Sequence, residues 1–114
     1  MLMLSSPYVG YADGASRSTR NLASAAWTIF TSNGELVTSN GICLGRATNN
    51  IVEYSAVVEL LTGAISLNIR HLMARLDSQL VVLQLGNYYS IKIPMLLRLF
   101  MRVCLLEREF DYLE

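Results

Sequence analysis

The sequence predicts an α/β domain in which a mixed five-stranded sheet carries helices packed on it. Three observations predict it. Asn33-Gly34 lies between two runs of strand-forming residues, the strongest short-range signal for a β-hairpin. A helix-periodic segment at 51–67 follows the polar triplet Thr48-Asn49-Asn50. Two short apolar runs, 8–13 and 71–77, each end in an aspartate, and the chain between them is long enough for a right-handed crossover joining parallel neighbours.

Residues 8–13 are nearly all apolar and close on Asp13-Gly14, which predicts a strand buried on both faces and ending in a turn, with 16–21 as the polar turn that follows. Ala25-Ala26-Trp27-Thr28-Ile29-Phe30 and the run 35–44 form the hairpin strands. The side-chain oxygens of Thr48, Asn49 and Asn50 can cap the free amides of the helix at 51–67. On its wheel Ser55, Glu59, Thr62 and Ser66 share a polar side, whereas Glu53 falls among Val57, Leu60, Leu61, Ala64 and Ile65, at the core edge. Residues 71–76 predict another strand, 78–85 a short helix stopped by Gly86-Asn87, and Pro94 opens an apolar helix to about residue 109. Residues 110–114 start a last strand.

Length and composition bound the function. A chain of 114 residues with 53% hydrophobic and 16% charged side chains suits one domain, 1–114, able to bury roughly 65% of its unfolded surface without disulfides or a structural metal. Cys43, Cys104 and the single His71 are too few for a zinc cluster. Nine basic and nine acidic residues cancel, so no global field draws the chain to nucleic acid or to an anionic membrane. The best candidate for a membrane span, 93–106, is interrupted by Arg98 and Arg102, and Met1-Leu2-Met3-Leu4 is too short for a signal peptide. The expected setting is therefore intracellular and away from membranes.

Three carboxylates converge in this reading: Asp13 and Asp77 at adjacent strand ends, and Glu53 on the sheet-facing side of the helix between them. Grouped carboxylates repel, and no basic residue is spaced to neutralise them. A hard divalent cation, Mg²⁺ or Mn²⁺, is the partner that oxygen-only ligation favours.

The motifs that carry these acids resemble the ribonuclease H family, above all its plant and retroelement types. Tyr11-Ala12-Asp13-Gly14-Ala15 is similar to the first strand motif, Ala47-Thr48-Asn49-Asn50-Ile51-Val52-Glu53-Tyr54 to the helix motif, and Leu76-Asp77-Ser78-Gln79-Leu80-Val81-Val82 to the third. Intervals of 40 residues from Asp13 to Glu53 and 24 from Glu53 to Asp77 also fit. The resemblance implies a ribonuclease H-like fold and hydrolysis of the RNA strand of RNA–DNA hybrids with two metal ions. By that analogy Asp13 bridges both ions and Glu53 and Asp77 complete their shells. Gly14, Asn49, Asn50, Ser78 and Gln79 match positions that meet the hybrid, where the ribose 2′-hydroxyl marks RNA in the minor groove.

The pattern also departs from the family. Its fourth aspartate, in a helix after the last strand, has no counterpart before Glu114, Asp111 being expected inside the final strand, and the basic protrusion that grips the hybrid is missing. The reading is thus a C-terminally truncated single domain, such as a piece of a retroelement polyprotein. Two rivals are a weakly active or inactive interaction module and a different nuclease or integrase of the same superfold. Truncation predicts self-association through an exposed C-terminal strand or apolar helix face.

Plainer roles compete at each position. Asp13 could simply form a turn, Glu53 could answer the helix dipole, and Asn49, Asn50 and Ser78 could be caps. His71 reads as structural. Trp27, Tyr88, Tyr89 and the Met and Leu residues of 95–106 read as packing, and Arg98 and Arg102 as a solvated stripe.

Overall fold

The computed structural model describes residues 6–17, 22–45, 49–76 and 94–113. Strand β1 (Tyr8–Arg17) is followed by β2 (Leu22–Phe30), β3 (Leu36–Gly45), helix α1 (Asn49–Ser66), β4 (His71–Leu76), helix α2 (Pro94–Glu107) and β5 (Tyr112–Leu113). The sheet order is β3-β2-β1-β4-β5. Strands β1, β2 and β3 pair antiparallel, while β4 is parallel to both β1 and β5, so the mixed five-stranded sheet and the β1–β4 neighbourhood are as expected. The short helix expected at 78–85, with Tyr88 and Tyr89, lies outside the described residues. No helix among the described residues is long and apolar enough to cross a membrane.

The hairpin turn is one residue longer than the Asn-Gly signal alone suggests. Thr31 N–H donates to Glu35 O (2.8 Å) and Gly34 N–H to Thr31 O (2.9 Å), which leaves Ser32, Asn33 and Gly34 in the loop. Only Gly34 takes a positive φ there, 90°, as three-residue hairpins with a bulge require. The ladder irregularity between Ile29 and Phe30 follows from this turn.

Helix α1 begins at Asn49, so Asn49 and Asn50 are its first helical residues and the capping position falls before the described segment. Its other end is a Schellman motif. Asn68 sits at φ 59°, Ile69 N–H donates to Ala64 O and Asn68 N–H to Ile65 O (both 3.0 Å), and Ile69 is buried beneath the turn. Asparagine tolerates this left-handed position better than most residues because its short polar side chain bonds locally.

α1 packs on β1, β2 and α2, and for that reason its buried surface is wider than one amphipathic stripe. Val52, Tyr54, Ala56, Val57, Val58, Leu60, Leu61 and Ala64 are all buried, while Thr62 and Ser66 are exposed on the polar side as expected. The sheet meets the helix with small residues: Gly10, Ala12 and Gly14 from β1, Ala23 and Ala25 from β2. A Cβ on Gly63 would run into the Trp27 ring, lying 2.8 Å from both Cζ2 and Cζ3, so a glycine lets α1 settle over the indole. Trp27 is thereby a packing residue, although its buried Nε1 has no hydrogen-bond partner among the described residues.

Four expectations fail, two over burial, which is decided by what covers a face, and two over where a strand begins or ends. β1 is buried on one face only: Gly10 and Ala12 are covered by α1, whereas Tyr11 (45% exposed) and Asp13 look outward. It also runs past Asp13-Gly14 to Arg17, into the first two residues of the turn expected at 16–21, the rest of which lies outside the described residues. In α2 the packing reading of the Met and Leu residues holds for the buried Leu96, which the buried Val103 joins, but Leu97, Met101 and Leu105 are 42–58% exposed beside the exposed Arg98 and Arg102. The helix is apolar nearly all round, and only one side meets a neighbour among the described residues. Asp111 precedes β5 instead of lying within it, and its N–H donates to Arg70 O (2.9 Å).

Tyr54 is fully buried, and burial, reinforced by the neighbouring Cys104, pushes its phenol up from 10 to about 12. Its contribution to stability is therefore fully present below pH 10 and is lost as pH rises toward 12, because the unfolded chain ionises first. Alkaline unfolding followed by tyrosinate absorbance should show a decline of roughly 2 kcal/mol over that interval, absent in Tyr54→Phe.

Candidate active site

β1 and β4 run parallel with Tyr8 opposite Leu72 and Ala12 opposite Leu76, where β4 ends. Asp13 is the first residue of β1 beyond that pairing, and on its other side it still pairs with Ala26 of β2. The carboxyl end of a parallel strand, where pairing stops and the backbone splays, is where open α/β sheets receive ligands. Asp13 is exposed there, on the face away from α1, because Ala12 and Gly14 on either side of it are turned toward the helix.

Helix α1 reaches this point through its first turns. Gly14 has no room for a side chain: a Cβ would collide with Val52 Cγ1 and lie 2.9 Å from the Val52 carbonyl carbon and 3.0 Å from its oxygen. Asp13 and Glu53 are thus each one residue from the same backbone contact, one on the strand and one on the helix. Glu53 is half-buried, as expected for an acid at the core edge. Asn50, also half-buried, lies in the helix's opening turn with Asn49.

Of the residues singled out in the sequence, the structure brings together Asp13, Gly14 and Glu53, with Asn49 and Asn50 at the start of the same helix. Asp77, Ser78 and Gln79 lie outside the described residues; Asp77 is the chain's next residue after Leu76. Among the described residues no group of three or more His, Cys, Asp or Glu is close enough to hold a metal. The two described acids are nonetheless hard oxygen donors, the donor type that Mg²⁺ and Mn²⁺ require. His71 starts β4, five residues before Leu76 and roughly 17 Å along the strand, and pairs with Tyr112, in keeping with a structural role. Cys43 and Cys104 are free thiols on β3 and α2.

Arg75 was missed in the sequence. It pairs with Tyr11 in the β1–β4 ladder and so shares the outward face with Asp13, and its Nη2 donates to Met73 Sδ (3.4 Å), a weak acceptor. The period-2 alternation of Val9, Tyr11 and Asp13 against Gly10, Ala12 and Gly14 was the signal that could have placed it.

Comparison with known proteins agrees with this geometry. The family model described as Reverse transcriptase-like matches residues 11–113. A ribonuclease HI of Halobacterium salinarum is 37% identical over 101 residues, 89% of this chain and 51% of the relative. The chain therefore spans about half the length of that curated relative. The crystal structure of RNase H1 from the same archaeon superposes with a TM-score of 0.89 at 34% identity, covering 95% of this chain and 82% of that one. The N-terminal RNase H domain of Rv2228c from Mycobacterium tuberculosis gives 0.89 at 29% identity, covering 95% and 78%.

Proposed function

The chain belongs to the ribonuclease H family, and from that premise we propose that it is a metal-dependent endonuclease hydrolysing the RNA strand of RNA–DNA hybrids. The observation that carries the proposal is the placement of Asp13 and Glu53 on either side of the Gly14–Val52 contact, at the end of the β1–β4 pairing. Asp13 itself is solvent-exposed beside that packing contact, so its carboxylate is not held there by burial.

In this reading Asp13, Glu53 and Asp77 hold up to two Mg²⁺ ions, with Mn²⁺ as substitute. Bound there, the cations supply Lewis-acid activation of the attacking water and stabilise charge on the leaving 3′-oxygen. Asp13 reaches toward the substrate from the exposed face, and Glu53 supplies its carboxylate from the helix side. Gly14 lets the two elements approach. Asn49 and Asn50, at the start of α1, and Ser78 and Gln79, which follow Asp77 in the chain, would meet the hybrid in its minor groove. Contacts to the ribose 2′-hydroxyl select RNA over DNA. With zero net charge, strand recognition rests on these local contacts more than on long-range attraction.

End-labelled hybrid, single-stranded RNA and duplex DNA, each incubated with the 114-residue chain in Mg²⁺, Mn²⁺ or EDTA, test the reading. RNA fragments should arise from the hybrid alone and only with metal. Duplex DNA cut at a comparable rate would reassign the chain to another nuclease of the same superfold.

A further inference from the structure

Helix α1 is buried along two arcs, and Glu53 stands in the gap between them. Measured from Val52 at about 100° per residue, the positions seated on the sheet fall within an arc of about 0–80°: Val52 against Gly14, Leu60 against Gly10 and Gly63 against Trp27. Tyr54, Val57, Val58 and Leu61 are buried as well, yet they fall at about 140–240°, on the side turned from the sheet. Besides the sheet strands, the described element packed on α1 is α2, whose Cys104 neighbours the Tyr54 phenol. Glu53 falls at about 100°, between the two arcs, and is half-buried there.

Resting on the hydrolase reading above, we propose that Tyr54 is a positioning residue for the metal site: its buried ring, packed on the side of α2, fixes the rotation of α1 at which Glu53 joins Asp13 in holding the cations. The chain neighbours of Glu53 carry the argument. Val52 and Tyr54 are both fully buried, the first against β1 and the second on the side of α2, so the helix is stopped from rolling in either direction. The leverage is large. With side chains a helix has a radius of about 5–6 Å, so a roll of about 10° carries the Glu53 carboxylate through about 1 Å. Metal–ligand distances are held within about 0.2 Å, and a roll of that size takes the carboxylate out of reach. An aromatic ring suits the task, because it fills a large space with only two side-chain torsions and gives little when pushed. Plain core packing would make Tyr54 matter for stability alone, whereas its place beside the gap makes it matter for Glu53.

Titration calorimetry with Mn²⁺ on the 114-residue chain reads the site without requiring turnover. Tyr54→Leu should weaken Mn²⁺ binding about tenfold, the lower end of what removing a group that orients a metal ligand costs. Tyr54→Phe keeps the ring and should bind as the wild type does. Leu61→Ala opens the same side of α1 about two turns further along, so it should lower the thermal midpoint and leave Mn²⁺ affinity unchanged. Circular dichroism checks the fold of each variant. Where Tyr54→Leu does not fold, Tyr54→Trp overfills the same space and carries the same expectation. Wild-type affinity in the folded Tyr54 variant overturns the positioning role. So does an equal loss in Leu61→Ala, since general loosening of the core then accounts for the effect. Mn²⁺ binding that needs Asp13 and ignores Tyr54 removes this inference and leaves the hydrolase reading standing. Equal Mn²⁺ heats in the wild type and Asp13→Asn remove the metal site, and both readings fall with it.

Discussion

Asp13→Asn is expected to reduce hybrid cleavage about a thousandfold or more while leaving the fold as stable as before. The side chain is exposed and the substitution is nearly isosteric, so nothing in the core changes, and surface replacements of this kind usually stay within about 0.5 kcal/mol. The chemical loss is much larger. An amide offers a hard cation one neutral oxygen where the carboxylate offered a charged one, and charge stabilisation by bound metal in such sites is worth several kcal/mol, each 1.36 kcal/mol being a factor of ten. Single-turnover cleavage measures the rate, titration calorimetry with Mn²⁺ the binding, and thermal unfolding the stability. Cleavage at the wild-type rate would show that Asp13 lies outside the reacting site, and an equal loss of stability would show that it is structural after all.

The topology was legible because its punctuation is local. Asn33-Gly34 marks the hairpin, Pro94 opens α2, and the connection between β1 and β4 is long enough for the right-handed crossover that a parallel pair needs. Asp13 and Glu53, the described acids of the proposed site, stood out for a related reason, since a carboxylate at a strand end and another in an apolar arc both break a local pattern that packing would otherwise keep. Which face of each element is covered was not legible. Tyr8, Val9, Tyr11 and Ala12 read together as one apolar run, yet only α1's side of β1 is sealed, and Tyr11 spends its ring on the open face. α2 shows the same blindness: Leu97 and Leu96 are equally apolar in sequence, and only contact with α1 separates the exposed from the buried one. Burial of this kind is set by non-local packing, and single-residue hydrophobicity carries no record of it.

Gly14→Ala should damage both stability and cleavage, and it tests whether the Asp13–Glu53 spacing matters apart from the acids themselves. The new Cβ would collide with Val52 Cγ1 and sit 2.9 Å from the Val52 carbonyl carbon, and backbone cannot swing aside as a side-chain tip can. Relief requires the first turns of α1 to lift from β1, carrying Glu53 away from Asp13. Overpacking of this kind costs about 1–3 kcal/mol. A displacement of about 1 Å at a reacting centre can cost on the order of a hundredfold in rate. Gly10→Ala is the matched comparison. Its Cβ would lie 2.7 Å from Leu60 Cδ1, the end of a side chain that can rotate, three residues before Asp13 on β1, so it should lose some stability and little cleavage. In Gly14→Ala the thermal midpoint and kcat should fall together. If kcat falls at unchanged stability, Gly14 touches the substrate directly. If stability falls at unchanged kcat, the seat of α1 on β1 does not set the distance between the two carboxylates.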